Sequence, residues 1–171
     1  MTPDAAATTP AELRFRLIAL WVLAALMAVT AVHQVSIVLA AQPLGIDFLP
    51  MWTGARAWLD GHREVYDFVA ITERQAWALE AHHGLRPFVY PPSGLLLFLP
   101  FATLPFWWAY GLWTGATGLL FAGVTASVVP RHRLLTGVLA LVLSPCAMVV
   151  LIGQSTFLVG AMAALAVIWL K

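Results

Sequence analysis

Three stretches of the chain, residues 17–46, 87–130 and 134–170, contain no charged side chain. Each exceeds the ~20 apolar residues that cross ~30 Å of hydrocarbon as a helix. Their apolar residues run on without regular alternation, which excludes barrel strands, and helices are the element that satisfies its own backbone inside a bilayer. The pattern predicts an all-α integral membrane protein with a first transmembrane helix over 13–41 and further helices over 92–171. Residues 1–12, small and polar at the start, read as a disordered tail.

Between the first two apolar runs the pattern changes. After Gln42-Pro43, apolar residues recur at helical spacing through Leu49, Met51, Trp52, Ala55, Trp58 and Leu59, with Thr53, Arg56 and Asp60 on other faces and a stop at Gly61. Two tryptophans on a short amphipathic helix belong at headgroup depth. A second helix is predicted from an Asp67 N-cap to His82, closed by Gly84. The segment 42–91 therefore reads as a two-helix loop roofing the membrane.

Residues 92–129 are too long for one crossing, and Pro100 and Pro105 divide them. If 92–104 is a short span, the chain returns over 105–129 as a hairpin, which the Leu104-Pro105 turn signal favours. If 92–104 is re-entrant, Arg131 and Arg133 lie inside, which the positive-inside rule favours. The hairpin is the reading taken. Spans over 134–152 and 157–170, separated by Gly153-Gln154-Ser155-Thr156, bring the expected count to four or five transmembrane helices.

Arg14 and Arg16 precede the first apolar run, which places the N-terminus in the cytoplasm and the 42–91 loop outside, in a multi-pass plasma-membrane protein. Val38-Leu39-Ala40 resembles a signal-peptide cleavage site, but the apolar core from Leu17 outruns the ~7–15 residues of such a signal, so an uncleaved anchor is expected. His33 and Gln34, late in this helix, are expected at the outer interface or bonded to a neighbouring helix.

Composition agrees: 61% of residues are hydrophobic, 10% are charged, and mean hydropathy is +0.87. A formal net charge of +1 argues against a nucleic-acid partner. The single cysteine, Cys146, excludes an internal disulfide or a thiolate zinc site. Six of the eight carboxylates, four of the nine cations and three of the five histidines lie in residues 45–92, so any chemistry is expected there.

Several side chains in and around that loop have a chemical and a structural reading. Asp47, beside Phe48 at the edge of the first span, is a partly desolvated carboxylate suited to take a proton from a hydroxyl, or else a cap for the following helix. Arg56, with Arg63 and Arg86 behind it, offers a fork that matches phosphate oxygens, or snorkels from an interfacial helix. Tyr90, before Pro91-Pro92, lines a sugar site or anchors the corner where the chain re-enters the membrane. Gln154 hydrogen-bonds a phosphate or a neighbouring helix. His82 and His83 suit a phosphate or a divalent ion, but no acid has convincing metal-ligand spacing, so no metal or cofactor is expected.

The order of these pieces carries a resemblance. An uncharged first helix, Gly45-Ile46-Asp47-Phe48, Ala55-Arg56-Ala57-Trp58-Leu59-Asp60-Gly61 with Val65-Tyr66-Asp67, then Phe88-Val89-Tyr90-Pro91-Pro92, Leu99-Pro100-Phe101-Ala102-Thr103-Leu104-Pro105, Ala109, Trp113 and Gly153-Gln154-Ser155 together resemble the family-87 glycosyltransferases. The likeness runs from about Leu13 to the last residue, and the chain looks like the N-terminal part of a longer member. It implies the C-type glycosyltransferase fold and transfer of a hexose, mannose or a related sugar, from a polyprenyl-phosphate donor to a glycan or glycolipid acceptor on the outer face of the membrane. It further implies inversion at the anomeric carbon with Asp47 as the catalytic base; for such a donor the candidate substrate-binding residues among those above are Arg56, Tyr90, His82 and Gln154. The competing reading is a non-catalytic membrane subunit, scaffold or truncated relic whose loop only roofs the bundle. A transporter is a third class, for which the spans offer almost no ionisable residue beyond His33.

Overall fold

A computed structural model describes residues 10–79, 84, 86–128, 132–142 and 144–170. Among them every regular element is helical: α1 (Pro10–Ala41), α2 (Leu49–Leu59), α3 (Phe68–Leu79), α4 (Pro92–Ala102), α5 (Phe106–Val128), α6 (Arg133–Val142), α7 (Ser144–Ile152) and α8 (Thr156–Trp169). The continuous apolar runs produce this, since a helix pairs its own backbone wherever side chains offer no polar competitor.

Among the described residues two helices are long and apolar enough to cross a membrane: α1, of 32 residues, and α5, of 23. α1 leaves nearly all its described side chains exposed and leans on α7, as expected of a helix whose other faces meet lipid. α5 packs between α6 and α8, where Gly160 lets Phe121 approach within 3.0 Å of a Cβ position and Phe121 stacks on Phe157 at 5.5 Å.

The expected span over 134–152 is not one straight helix. It breaks between α6 and α7 with a bend of 60°. Pro145 supplies the cause, because it has no N–H to donate and its ring crowds the carbonyl four residues earlier, at Leu141. Counted as one span, the bent pair makes a third candidate crossing. The other two apolar helices, α4 of 11 and α8 of 14 residues, are shorter than a crossing.

Two short helices, α2 and α3, form in the segment read as a roof, with differences in detail, and the expected run of the second helix to His82 passes outside the described residues. Asp67 caps α3, its Oδ1 accepting from the N–H groups of Val69 at 2.9 Å and Ala70 at 3.0 Å. α2 ends before Gly61, whose φ of +87° reverses the chain in the left-handed region. Its buried face is wider than the apolar periodicity suggests. Thr53 and Gly54 are buried with Leu49, Met51, Ala55 and Ala57, and Thr53 donates its hydroxyl to the Leu49 carbonyl at 2.7 Å.

Pro100 does not divide the following stretch but lies inside α4; the break comes at Pro105. α4 is tied to the roof at both ends. The Tyr66 hydroxyl donates to the Tyr90 carbonyl at 2.8 Å just before it, and the Trp52 indole donates to the Leu104 carbonyl at 3.0 Å just after it.

The core that joins roof to bundle is aromatic. Phe48, fully buried, has its ring within 6.0–6.4 Å of Phe98, Phe106, Tyr110 and Trp113. Such clusters gain from area burial and from edge-to-face pairing. They fix the chain immediately beside Asp47.

Candidate functional site

The path from sequence to site starts with the end of α7. The last carbonyls of a helix have no partner within it and must find donors elsewhere. Here the 45–48 loop supplies them: Gly45 N–H donates to Leu151 O and Asp47 N–H to Ile152 O, each at 2.8 Å, while the Tyr110 hydroxyl donates to Val150 O and, at 3.2 Å, to Leu151 O. Gly45 has φ +72° and a Cβ there would meet the Tyr110 ring at 3.0 Å. Ile46 and Phe48 point into the core and are fully buried, so the intervening Asp47 points out.

Three distant parts of the chain converge on that carboxylate. Asp47 Oδ2 accepts from Gln154 Nε2 at 2.8 Å, and Oδ1 accepts from Arg86 Nη1 at 3.4 Å. Both members of the ion pair keep just over a quarter of their side chains exposed. Thr156 donates its hydroxyl to Gln154 Oε1 at 3.1 Å, which turns the amide so that its NH₂ faces the acceptor-only carboxylate. Gly153, with φ +76°, makes the approach possible, because a Cβ at that position would sit 2.8 Å from the Cβ of Phe48.

Arg86 is delivered by α3. Gln75, 96% buried, donates to the Arg86 carbonyl at 2.6 Å and holds the extended segment leading to Tyr90 against the roof. Phe88 then packs on Gly54, and Tyr90 lies against Phe88 and Phe98 with ring centroids at 5.7 and 5.8 Å. The result is an open cleft of about 370 Å³ whose wall includes Asp47, Met51, Arg86, Tyr90, Gln154 and Thr156.

Of the residues singled out from the sequence, the fold brings Asp47, Tyr90 and Gln154 to one cleft. Asp47 does not cap α2: the N-cap position is Phe48, without a side-chain cap bond, and both carboxylate oxygens are engaged elsewhere. Arg56 is not in this cleft. It bonds Asp60 one turn on, at 3.2 Å, and the Ala102 carbonyl at 3.4 Å, and lines a separate groove between α2 and α3. His82 and His83 lie outside the described residues.

Of the three arginines read as phosphate-binding candidates, Arg56, Arg63 and Arg86, it is Arg86 that lies beside Asp47. Its nearness to Tyr90 was the available signal, and the spacing of Arg56 and Asp60, one helical turn apart, marked a local pair. Thr156 carried no signal at all. Among the described residues no group of three or more His, Cys, Asp or Glu side chains is placed to hold a metal ion.

Chemically, the arrangement offers a carboxylate at the cleft wall, the positive charge of the Arg86 guanidinium beside it, and the N-terminus of α8 at Ser155-Thr156. That set suits a ligand carrying both a hydroxyl and a phosphate.

Comparison with known proteins bears on the second half of the chain. No curated protein and no solved structure matches it. Residues 88–171, just under half of the sequence, match the model of Glycosyltransferase family 87, so the part that contributes Tyr90, Gln154 and Thr156 to the cleft is similar to that family.

Proposed function

We propose that the chain is a membrane glycosyltransferase, or the N-terminal part of one, that transfers a hexose, mannose in the first instance, from a polyprenyl-phosphate donor to a glycan or glycolipid hydroxyl. One observation carries the reading: Asp47, fixed from both sides by Arg86 and Gln154, faces an open cleft. The family likeness over residues 88–171 supports the reaction class.

In this mechanism the acceptor hydroxyl donates its hydrogen bond to Asp47. As the acceptor oxygen forms its bond to the anomeric carbon, the bond from that carbon to the phosphate oxygen breaks. The proton passes to the carboxylate, and the electron pair leaves on the lipid phosphate. Gln154 and Arg86 set the direction of the carboxylate lone pairs, and Arg86 with the α8 N-terminus balances charge on the departing phosphate. Tyr90 forms part of the wall against which the sugar lies.

The test of donor class is direct. The full chain, reconstituted in vesicles, is expected to move labelled hexose from polyprenyl-phosphate-mannose and not from a nucleotide sugar. Transfer from the nucleotide sugar alone would overturn the assignment.

Topology belongs to the same proposal. Against the expected four or five crossings we take three, α1, α5 and the bent α6–α7 pair, α8 being too short for one. Both ends of α4 are bonded to roof residues, and its 11 residues reach only ~16 Å at ~1.5 Å per residue, so it re-enters rather than spans. With a cytoplasmic N-terminus, Asp47 and Gln154 then share the outer face, and Arg133 falls on the inner one, in line with the positive-inside rule. A cysteine replacing the exposed Glu73, in a Cys146→Ser background, is expected to react with an impermeant thiol reagent added outside intact cells. Reaction only after lysis would reverse the orientation.

A further inference from the structure

The groove between α2 and α3 is larger than the cleft at Asp47, about 590 Å³, and the mechanism above makes no use of it. We infer that it binds a neutral oligosaccharide. Calling that oligosaccharide the non-reacting part of the acceptor rests on the glycosyltransferase reading; its binding does not.

The lining decides the ligand chemistry. Trp77 is 87% exposed, an indole face presented to whatever occupies the groove, with Trp52 also in the wall. Sugar rings carry a face of C–H groups that lies well on an indole, and their hydroxyls both donate and accept. The groove supplies both kinds of partner in equal number, with donors on Arg56 and Arg74 and acceptors on Asp60 and Glu73. Arg56 and Asp60 are held together at 3.2 Å as a ready-made pair.

Because two guanidinium groups and two carboxylates cancel, the groove has no net attraction for a phosphate or an ammonium ion, and a phosphate entering it meets both carboxylates. Its volume falls within the ~300–1,000 Å³ of small-molecule sites.

Position supports the link to the acceptor. α2 forms a wall of both cavities, Pro50 and Met51 on the Asp47 side and Trp52, Arg56 and Asp60 on the other. Met51 and Asp60 are nine residues apart, ~13 Å along the helix, a length that a few sugar units cover. Contacts remote from the reacting hydroxyl are where binding energy orients an acceptor without touching the chemistry.

The experiment uses the full chain in phosphatidylcholine nanodiscs, with saturation-transfer NMR and mannotriose as the probe. Saturable binding is expected, weakened about tenfold or more by Trp77→Ala, as for a central aromatic contact, and several-fold by Glu73→Gln. Both side chains are exposed, so neither change disturbs the fold. Three results would overturn the inference: no saturable mannotriose binding by the wild type, equal binding by Trp77→Ala, or displacement of mannotriose by glycerophosphoethanolamine, which would make the groove a lipid-headgroup site. Binding is read without turnover, so its failure leaves the role of Asp47 standing, and inactivity at Asp47 leaves the groove standing.

Discussion

Phe48→Ala is expected to destabilise the protein by about 3–5 kcal/mol, the usual cost of emptying a phenyl site in a packed core. The ring is fully buried and meets four other aromatic rings, three on α5 at Phe106, Tyr110 and Trp113 and one on α4 at Phe98. No single neighbour is long enough to fill the void, because each is itself held by another aromatic contact: Trp52 on Phe106, Phe101 on Trp113. For a chain of this size the loss corresponds to a melting midpoint lowered by about 6–20 °C. Thermal unfolding in nanodiscs measures it directly. A midpoint within a degree of the wild type would show that the roof is held by something other than this cluster.

The aromatic cluster also explains what the sequence made readable. Local signals survived folding: the end of α1 at Ala41, the stop at Gly61, the Asp67 cap and the break at Pro105 all depend on residues within a turn of one another. Asp47, Tyr90 and Gln154 could be singled out because each interrupts or borders an apolar run, where a polar side chain needs a reason to be present.

What the sequence did not disclose is non-local. Gln154 bonds a carboxylate 107 positions away, and that meeting follows from how α7 docks on the 45–48 loop, which apolar periodicity does not encode. Arg86 reaches Asp47 from 39 positions away where a buried glutamine, Gln75, holds its backbone. Thr53 read as lying off the apolar face of its helix, yet its hydroxyl is satisfied by that helix and so can be buried without cost in unmade bonds. The 60° bend near Pro145 was not read from the sequence, where the apolar run over 134–152 suggested one span, although a proline inside such a run is a usual cause of a break.

Asp47→Asn is expected to abolish most hexose transfer while leaving the fold intact, with a loss of about 10²–10⁴ in turnover, the range attributed to a positioned general base. The amide has nearly the shape of the carboxylate. Its oxygen still accepts from one of the two donors, Gln154 or Arg86, and the neighbouring Phe48 and Ile46 anchors are untouched. It has no basic lone pair for the acceptor proton, and it removes the negative charge that holds Arg86 in place. Asp47→Glu keeps the charge but lengthens the reach, and a site built to sub-ångström tolerance is expected to recover only part of the activity.

The measurement closest to the central claim is the rate of hexose transfer from a saturating polyprenyl-phosphate donor, compared between the wild type and Asp47→Asn at equal donor occupancy. A rate lowered about a hundredfold or more, with donor affinity kept, is the result expected of a lost base. A rate equal to the wild type, or a deficit fully restored by adding more donor, would contradict it.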